Sequence, residues 1–303
     1  MVDAADTWRV GDVVITRVLD LEVTGLPPEV VFDALTQEQV CNVEWLQPHY
    51  ATPDGGLNIS VHAYVVESKG VRIIVDTCAG NDKPRHGPYF NMLSTPFLDR
   101  LAEAGFKPED IDYVLCTHLH IDHVGWNTRW TGEAWVPTFP KARYLFGRLE
   151  WAHWESEIAG TPISEEAADT QAIMEDSVQP IIAAGLHELV ETNHQITDEI
   201  QLFPTPGHTP GHVSVAITSG GHSAVIAGDV MHHPIQLANA GIQAVFDTDK
   251  TAAEATRRTF IRDHSDRDVL ILGTHFTRPC GGWIVRDGAA WRFAGSPPDA
   301  CCK

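Results

Sequence analysis

The chain has 303 residues, of which 43% are hydrophobic, and its 41 acidic and 21 basic side chains give a formal net charge of −20. This acidity argues against nucleic acid as a partner, because phosphate binding depends on lysine and arginine patches. No apolar run reaches membrane-spanning length, and the N-terminal residues lack the basic and apolar parts of a secretory signal, so we expect a cytoplasmic protein with no membrane partner.

The hydrophobic pattern predicts strands alternating with helices in a single domain covering residues 1–303, since no linker, low-complexity segment or repeat interrupts it. The predicted strands cover residues 12–19, 59–67, 71–76, 112–116, 143–146, 199–203, 213–218, 224–227 and 269–272, followed by a hairpin of 283–286 and 290–293. Helices are predicted over residues 93–104, 165–184 and 251–264. The pattern alone therefore indicates a mixed fold of the α+β or α/β class.

Three histidines and an aspartate lie within six positions directly after the strand predicted at 112–116. If the chain leaves that strand nearly extended, His118 and His120 point the same way and can hold one metal ion. Asp122 and His123 are adjacent and project differently, so they can serve a second ion or a bound water. The other interpretation is a histidine-rich surface turn, but this spacing of four ligand-type residues is rare by chance.

Three later residues of ligand type follow other predicted strands. His208 lies in a turn rich in glycine and proline after strand 199–203, Asp229 follows strand 224–227, and His275 follows strand 269–272. Histidine and carboxylate ligands suit zinc, iron, manganese or cobalt. The chain therefore predicts a centre of two divalent metal ions, with zinc as the first choice and iron, manganese or cobalt as alternatives.

At these residues the chain resembles the metallo-β-lactamase superfamily, and within it the group of quorum-quenching lactonases and methyl parathion hydrolase. The resemblance implies a four-layer αβ/βα sandwich in which Asp76 supports the metal site from outside the ligand shell. It also implies seven metal-binding positions, with Asp229 as the bridge between the ions: His118, His120, Asp122, His123, His208, Asp229 and His275. One position departs from the acyl-homoserine lactonases, which carry a tyrosine three residues after the bridge where this chain has His232.

The ligand set predicts hydrolysis. A water shared by two metal ions loses its proton near neutral pH and attacks a carbonyl, whose developing negative charge the ions stabilise. We expect two catalytic side chains: Asp122 orients the hydroxide or moves its proton, and His232 hydrogen-bonds the substrate carbonyl or protonates the leaving alkoxide. The predicted substrate is a small ester or lactone. Alternatives are an organophosphate triester hydrolase, a glyoxalase-II-like thioesterase and, outside the enzymes, an inactive metal-containing binding protein.

Two segments between the ligands are predicted to form the rim of the substrate pocket. They are an insertion at residues 26–49 and an aromatic segment at residues 126–170 that is rich in tryptophan. The tryptophans fit a wall for a small apolar substrate and, equally well, a cover for a sheet edge or a homodimer contact. Cys78 is either a functional thiol or a core thiol near Asp76, and His212 either supports the metal ligands or stabilises its own turn.

Overall fold

The computed structural model describes residues 6–159 and 164–298. Within them the chain divides into two compact units. The first comprises the described parts of Met1–Leu21 and Val61–His194, and the second comprises Glu22–Ser60 and the described part of Gln195–Lys303. The single domain over residues 1–303 stays a prediction.

The strands of the described residues are β1 (Thr7–Val10), β2 (Val13–Leu26), β3 (Leu57–Ser68), β4 (Val71–Val75), β5 (Tyr113–Leu115), β6 (Thr128–Trp130), β7 (Trp135–Pro137), β8 (Arg143–Gly147), β9 (His187–Val190), β10 (Gln195–Thr197), β11 (Ile200–Pro204), β12 (Val213–Ser219), β13 (His222–Ile226), β14 (Val269–Leu272), β15 (Gly281–Asp287) and β16 (Ala290–Ala294). The helices are α1 (Gln37–Cys41), α2 (Phe97–Glu103), α3 (Arg148–Glu157), α4 (Glu165–Ile173), α5 (Gln179–Ala183), α6 (Ile235–Ala238) and α7 (Lys250–His264). None of these helices is long and apolar enough to cross a membrane.

The first unit is built on a seven-stranded mixed sheet with the order β1-β2-β3-β4-β5-β8-β9. Strands β4, β5, β8 and β9 run parallel, so their C-terminal ends meet at one edge. Apolar side chains of the sheet, such as Ile74, Val114 and Tyr144, pack with Phe97 and Leu101 of α2 in one buried cluster. Burial of these side chains holds the strand ends that carry the first group of candidate ligands.

The second unit is built on another seven-stranded mixed sheet, with the order β10-β11-β12-β13-β14-β15-β16. Its neighbours are antiparallel except for β13 and β14, which run parallel with Ile226 paired to Leu272. Helix α7 contributes Phe260 and Ile261 to the buried residues of this unit. Two mixed sheets with helices are what the predicted αβ/βα architecture requires.

The strand predictions are confirmed to within two residues at each end, except that the strand predicted at 12–19 continues to Leu26 as β2. Eight of the described elements were not predicted, namely β1, β6, β7, β9, β10, α1, α3 and α6. Two helix predictions need correction. The helix predicted from residue 93 begins at Phe97, because a residue before a proline avoids helical backbone and Pro96 stands at the helix start.

The helix predicted at 165–184 is broken into α4 and α5 by a π-helical turn at Met174–Val178. Asp176 in this turn accepts a bidentate pair of hydrogen bonds from Arg85, at 2.7 and 2.9 Å, and one from Lys83 Nζ at 3.3 Å. Charge-assisted hydrogen bonds of this kind stabilise the π-helical turn. Helical periodicity in the sequence does not reveal such a turn.

Candidate metal centre

In the first unit, the carboxylate of Asp76 holds both ends of the histidine loop. Asp76 follows β4 directly, where Val75 pairs with Leu115 of β5. Its Oδ1 accepts the backbone N–H of Thr117 at 2.8 Å, and its Oδ2 lies 2.9 Å from Nδ1 of His123. The Asp76 carboxylate thus contacts both the backbone of the loop, at Thr117, and Nδ1 of His123, one of the candidate ligands.

His118 and His120 converge as their spacing predicts. Nε2 of His118 lies 3.0 Å from Nδ1 of His120, and Nδ1 of His118 lies 3.1 Å from the hydroxyl of Thr117. Two nitrogens that bind one tetrahedral zinc ion at about 2.05 Å are roughly 3.3 Å apart. The pair therefore has a separation that suits two ligands of a single ion.

Asp122 and His123 form a second pair in the same loop. Because Nδ1 of His123 faces the Asp76 carboxylate, this nitrogen carries the proton and leaves the lone pair on Nε2. That Nε2 lies 3.7 Å from Oδ1 of Asp122. Both side chains offer the atom types that a divalent transition metal prefers.

Helix α3 supports this loop through Glu150, a residue that the sequence reasoning missed. The buried Oε1 of Glu150 accepts the backbone N–H of Leu119, between the two histidines, at 3.0 Å. The same oxygen accepts the indole N–H of Trp154 at 2.5 Å, and the Trp154 ring lies 5.3 Å from the ring of His120 in an edge-to-face arrangement. Glu150 therefore fixes the backbone of one candidate ligand pair and the neighbour of one ligand ring.

In the second unit, strand register brings the later candidates to one sheet edge. Ile226 of β13 pairs in parallel with Leu272 of β14, and Asp229 and His275 each lie three residues past this pair. The connection that carries His208 leaves the same edge, because Pro204 of β11 pairs with the first residue of β12. The prediction that these residues follow strand ends is thus consistent with the pairing.

Three imidazole nitrogens surround a single carboxylate oxygen of this unit. Oδ2 of Asp229 lies 3.1 Å from Nε2 of His275, 3.3 Å from Nε2 of His232 and 3.5 Å from Nε2 of His208. All four side chains are buried. His208, Asp229 and His232 together have the spacing of a metal-binding group.

For His208 and His275, the contact that Nδ1 makes determines which form of the ring nitrogen Nε2 faces Asp229. Nδ1 of His208 lies 3.0 Å from Oδ1 of Asp247, and Nδ1 of His275 lies 3.0 Å from the carbonyl oxygen of Ser60. Both partners only accept hydrogen bonds, so each Nδ1 carries the proton. A neutral ring then directs the Nε2 lone pair at the Asp229 carboxylate, an arrangement that a cation between them stabilises. The donor set therefore fits a divalent metal ion.

His212 holds the backbone of Asp229 and not only its own turn. Its Nδ1 lies 2.8 Å from the hydroxyl of Thr205, and its Nε2 accepts the backbone N–H of Asp229 at 2.8 Å. Gly228 has a φ of +57°, and a Cβ there would stand 2.5 Å from Nε2 of His212. This close approach requires glycine before the aspartate.

His232 differs from the other two histidines near Asp229. Its side chain is buried, and neither of its ring nitrogens has a hydrogen-bond partner among the described residues. Its ring lies parallel to that of His275 at 5.9 Å and contacts the rings of Phe32 and Phe246. His232 therefore lies at the predicted position beside Asp229, without the outer hydrogen bond that His208 and His275 make.

The tryptophans of the aromatic segment have separate roles, as far as its residues 126–159 and 164–170 are described. Trp126 is a core residue stacked on Phe97 at 5.4 Å, and Trp135 lies under the ammonium group of Lys83. The ring of Trp154 lies 5.3 Å from that of the candidate ligand His120. Cys78 lies in the buried core of the first unit, and this burial raises the pKa of its thiol well above the ordinary value.

Comparison with known proteins agrees with the family resemblance of the sequence. Residues 58–289 match the Metallo-beta-lactamase superfamily. An N-acyl homoserine lactonase of Bacillus cereus is 28% identical over 181 residues, which are 55% of this chain and 61% of that protein. The chain thus spans less than two thirds of the length of this relative.

Two solved structures are similar over almost their whole length. AbOPH, a hydrolase in the beta-lactamase superfamily, has a TM-score of 0.80 and 26% identity, covering 98% of each chain. AidC, a dizinc quorum-quenching lactonase in complex with a product N-hexanoyl-L-homoserine, has a TM-score of 0.80 and 18% identity, covering 97% of each chain. The metallo-β-lactamase fold predicted from the sequence is confirmed by these matches.

Proposed function

The chain belongs to the metallo-beta-lactamase superfamily, and from this we propose that it is a metal-dependent hydrolase of a small lactone or ester. The observation that carries the proposal is the arrangement of His208 and His275, whose outer nitrogens are held by Asp247 and Ser60 so that both lone pairs face Asp229. This arrangement matches a metal site better than a structural hydrogen-bond network.

The metal ligands are proposed from the family pattern and from the local geometry of each pair. They are His118, His120, Asp122, His123, His208, Asp229 and His275. The proposed occupants are two divalent ions, with zinc first, because histidine and carboxylate ligands suit it. When bound, such ions make water a nucleophile at neutral pH and stabilise negative charge on a substrate oxygen.

The protein's own residues then have distinct tasks. The carboxylate of Asp122 orients the attacking water and takes its proton, while Asp76 keeps the neighbouring His123 in the tautomer that exposes Nε2. Asp229 is the proposed bridging ligand, and His212 holds its backbone. Fixed groups of this kind cost little reorganisation when charge develops on the substrate.

His232 is proposed to contact the substrate and not to be a metal ligand. Ligand histidines almost always donate their outer N–H to a carboxylate, carbonyl or water, and His232 has no such partner among the described residues. Its Nε2 lies 3.3 Å from Asp229 Oδ2, so the imidazole is within reach of a carbonyl that approaches the bridging residue. There it can donate a hydrogen bond to the carbonyl oxygen or to the leaving oxygen.

Lactones rank first among the substrates because the Bacillus cereus relative carries the name N-acyl homoserine lactonase. Because position 232 is histidine where acyl-homoserine lactonases have tyrosine, other esters and organophosphate triesters remain alternative substrates. Thioester hydrolysis and an inactive binding protein are the remaining alternatives. The cytoplasmic location, the homodimer and the absence of a nucleic acid partner stay predictions.

A screen of hydrolysis by metal-reconstituted protein tests the proposal. Zinc-, iron-, manganese- and cobalt-loaded samples are offered lactones, aryl esters, phosphotriesters and thioesters, with Asp229→Ala as the matched control. We expect turnover of a lactone or ester that chelation abolishes and metal restores. Turnover of the thioester alone, or no turnover by any loaded sample, would contradict the proposed function.

A further inference from the structure

We propose that the second unit holds a further binding site, for a small zwitterion with a flat apolar body, such as an aromatic amino acid. The site is a cavity of about 620 Å³ between the insertion at residues 26–49, Ala238 at the end of α6 and the hairpin of β15 and β16. Cavities that bind small molecules measure about 300 to 1,000 Å³, so this volume suits such a ligand. None of the described residues that line it is a candidate metal ligand, and the inference does not depend on the proposed hydrolase function.

Two indole rings supply apolar walls of the cavity. Trp45 is partly buried, and its ring meets that of the buried Tyr50 edge to face, with the centroids 6.5 Å apart. Trp291 is also partly buried, and its ring lies 5.5 Å from the guanidinium carbon of Arg286. Both rings thus have contacts with neighbours that do not line the cavity. They offer flat apolar surface to which an aromatic group of a ligand can bind.

Charged side chains of both signs line the same cavity. Glu44 and Asp287 contribute carboxylates, Arg292 contributes a guanidinium group, and all three residues are exposed. Among the described residues, none of these three side chains forms an ion pair, whereas the neighbouring Arg286 pairs with Asp266 at 3.5 Å. The three charges are therefore available to the charges of a ligand.

This mixture of charges favours one class of ligand over others. A simple anion would face the carboxylates of Glu44 and Asp287, and a simple cation would face the guanidinium group of Arg292. A zwitterion can place its ammonium group beside a carboxylate and its own carboxylate beside Arg292, with a charge-assisted hydrogen bond at each end. The indoles favour a ring as the body of the ligand. We therefore expect an aromatic amino acid to bind more tightly than a compound that lacks its ring or either of its charges.

Isothermal titration calorimetry of the zinc-loaded protein with L-phenylalanine tests the site. The comparison compounds are phenethylamine, hydrocinnamate and L-alanine, which lack the carboxylate, the ammonium group and the ring, respectively. Loss of one contact of ordinary strength lowers an affinity about 10-fold. We expect phenylalanine to bind more tightly than each of the three compounds by about this factor.

Variants of the lining connect the binding to this cavity. Trp45→Ala should weaken the binding of phenylalanine about 10-fold and that of alanine less, because alanine has no ring to lose contact with the indole. Arg292→Gln should bring the affinity for phenylalanine close to that for phenethylamine. Arg267→Gln changes an exposed arginine of the same unit outside the lining, so this matched control should bind as the wild type does. The thermal midpoint of each variant checks its fold.

An α-amino acid can also chelate zinc, so the titration is repeated on metal-free protein. The expected result is binding that survives removal of the metal and is weakened in Trp45→Ala and in Arg292→Gln, whatever the hydrolysis screen shows. No binding of phenylalanine to the wild type would overturn the inference. So would binding that disappears with the metal, or wild-type affinity in both variants, because phenylalanine would then bind elsewhere.

Discussion

Nδ1 of His208 lies 3.0 Å from Oδ1 of Asp247, a buried carboxylate 39 residues further along the chain. Burial raises the pKa of Asp247, while the nearby His232 and Arg257 side chains oppose that shift. Its other oxygen accepts the backbone N–H of Ala244 at 3.3 Å. Asp247 thus sets the tautomer of His208 and ties the loop carrying Phe246 to the proposed metal ligands.

Replacement of Asp247 should weaken metal binding without removing a ligand. Loss of such an outer partner typically lowers metal affinity about 10- to 100-fold. We expect Asp247→Ala to fall in this range and Asp247→Asn, which keeps an acceptor oxygen, to lose less. Competition with a chromophoric chelator measures the affinity, and the thermal midpoint of the metal-free protein checks the fold. Equal affinity in wild type and Asp247→Ala would show that His208 does not depend on this carboxylate.

Most of the candidate site could be predicted because its residues directly follow apolar strands. Asp229 and His275 each follow an apolar run that ends abruptly, a pattern that the linear sequence displays. Asp247 has no such signal, because it lies in a loop without periodic pattern and acts on a residue far away in sequence. Glu150 escaped notice because the segment of α3 has too few apolar residues at helical spacing to indicate a helix. Outer partners of ligands depend on tertiary contacts that spacing does not encode.

Asp229→Ala should lose more than half of the bound metal, since the proposed bridge would be removed from both ions at once. Metal analysis after dialysis against a limited excess of zinc gives the number of ions per chain. Asp263→Ala, which changes an exposed aspartate of the same unit, is the control and should keep the wild-type content. Full occupancy in Asp229→Ala would remove the bridging role.

Glu150 variants test whether α3 positions the histidine loop. Glu150→Gln keeps an oxygen that accepts the Leu119 and Trp154 N–H groups, whereas Glu150→Leu leaves both buried donors without it. We expect Glu150→Leu to lower metal affinity about 10-fold or more and Glu150→Gln to restore most of it. The absorption spectrum of the cobalt-loaded variants reports on ligand geometry. A Glu150→Leu variant that loses thermal stability but keeps wild-type metal affinity and cobalt spectrum would show a role in stability alone.

The titration of Lys83 should make the free energy of unfolding increase with pH. Burial lowers the pKa of Lys83 to about 8, although Asp176 opposes the shift, and Arg85 adds to it. Between pH 8 and the ordinary value of 10.5, the unfolded chain holds a proton that the folded chain has lost, so stability rises with pH in this window.

The measurement is urea unfolding of the wild type and Lys83→Met at pH 7 and pH 10. Relative to the variant, the wild type should gain roughly 2 to 3 kcal/mol over this interval. Thiols and phenols that titrate in the same range are present in both proteins and cancel in the comparison. If the wild type and the variant differed in unfolding free energy by the same amount at pH 7 and pH 10, Lys83 would have the same pKa in the folded and unfolded states.

The last prediction concerns His232, which stands where acyl-homoserine lactonases have tyrosine. Because its ring nitrogens make no hydrogen bond among the described residues and its Nε2 lies 3.3 Å from Oδ2 of Asp229, we expect it to donate a hydrogen bond to the substrate. Loss of one such donor lowers kcat by about 10²-fold or more. His232→Phe should show this loss with its metal content intact, and His232→Tyr should recover part of the rate on a lactone because it restores a donor. His222→Phe, at an exposed histidine, is the control. Unchanged kinetics in His232→Phe would exclude the residue from the reaction, and loss of metal would make it a ligand instead.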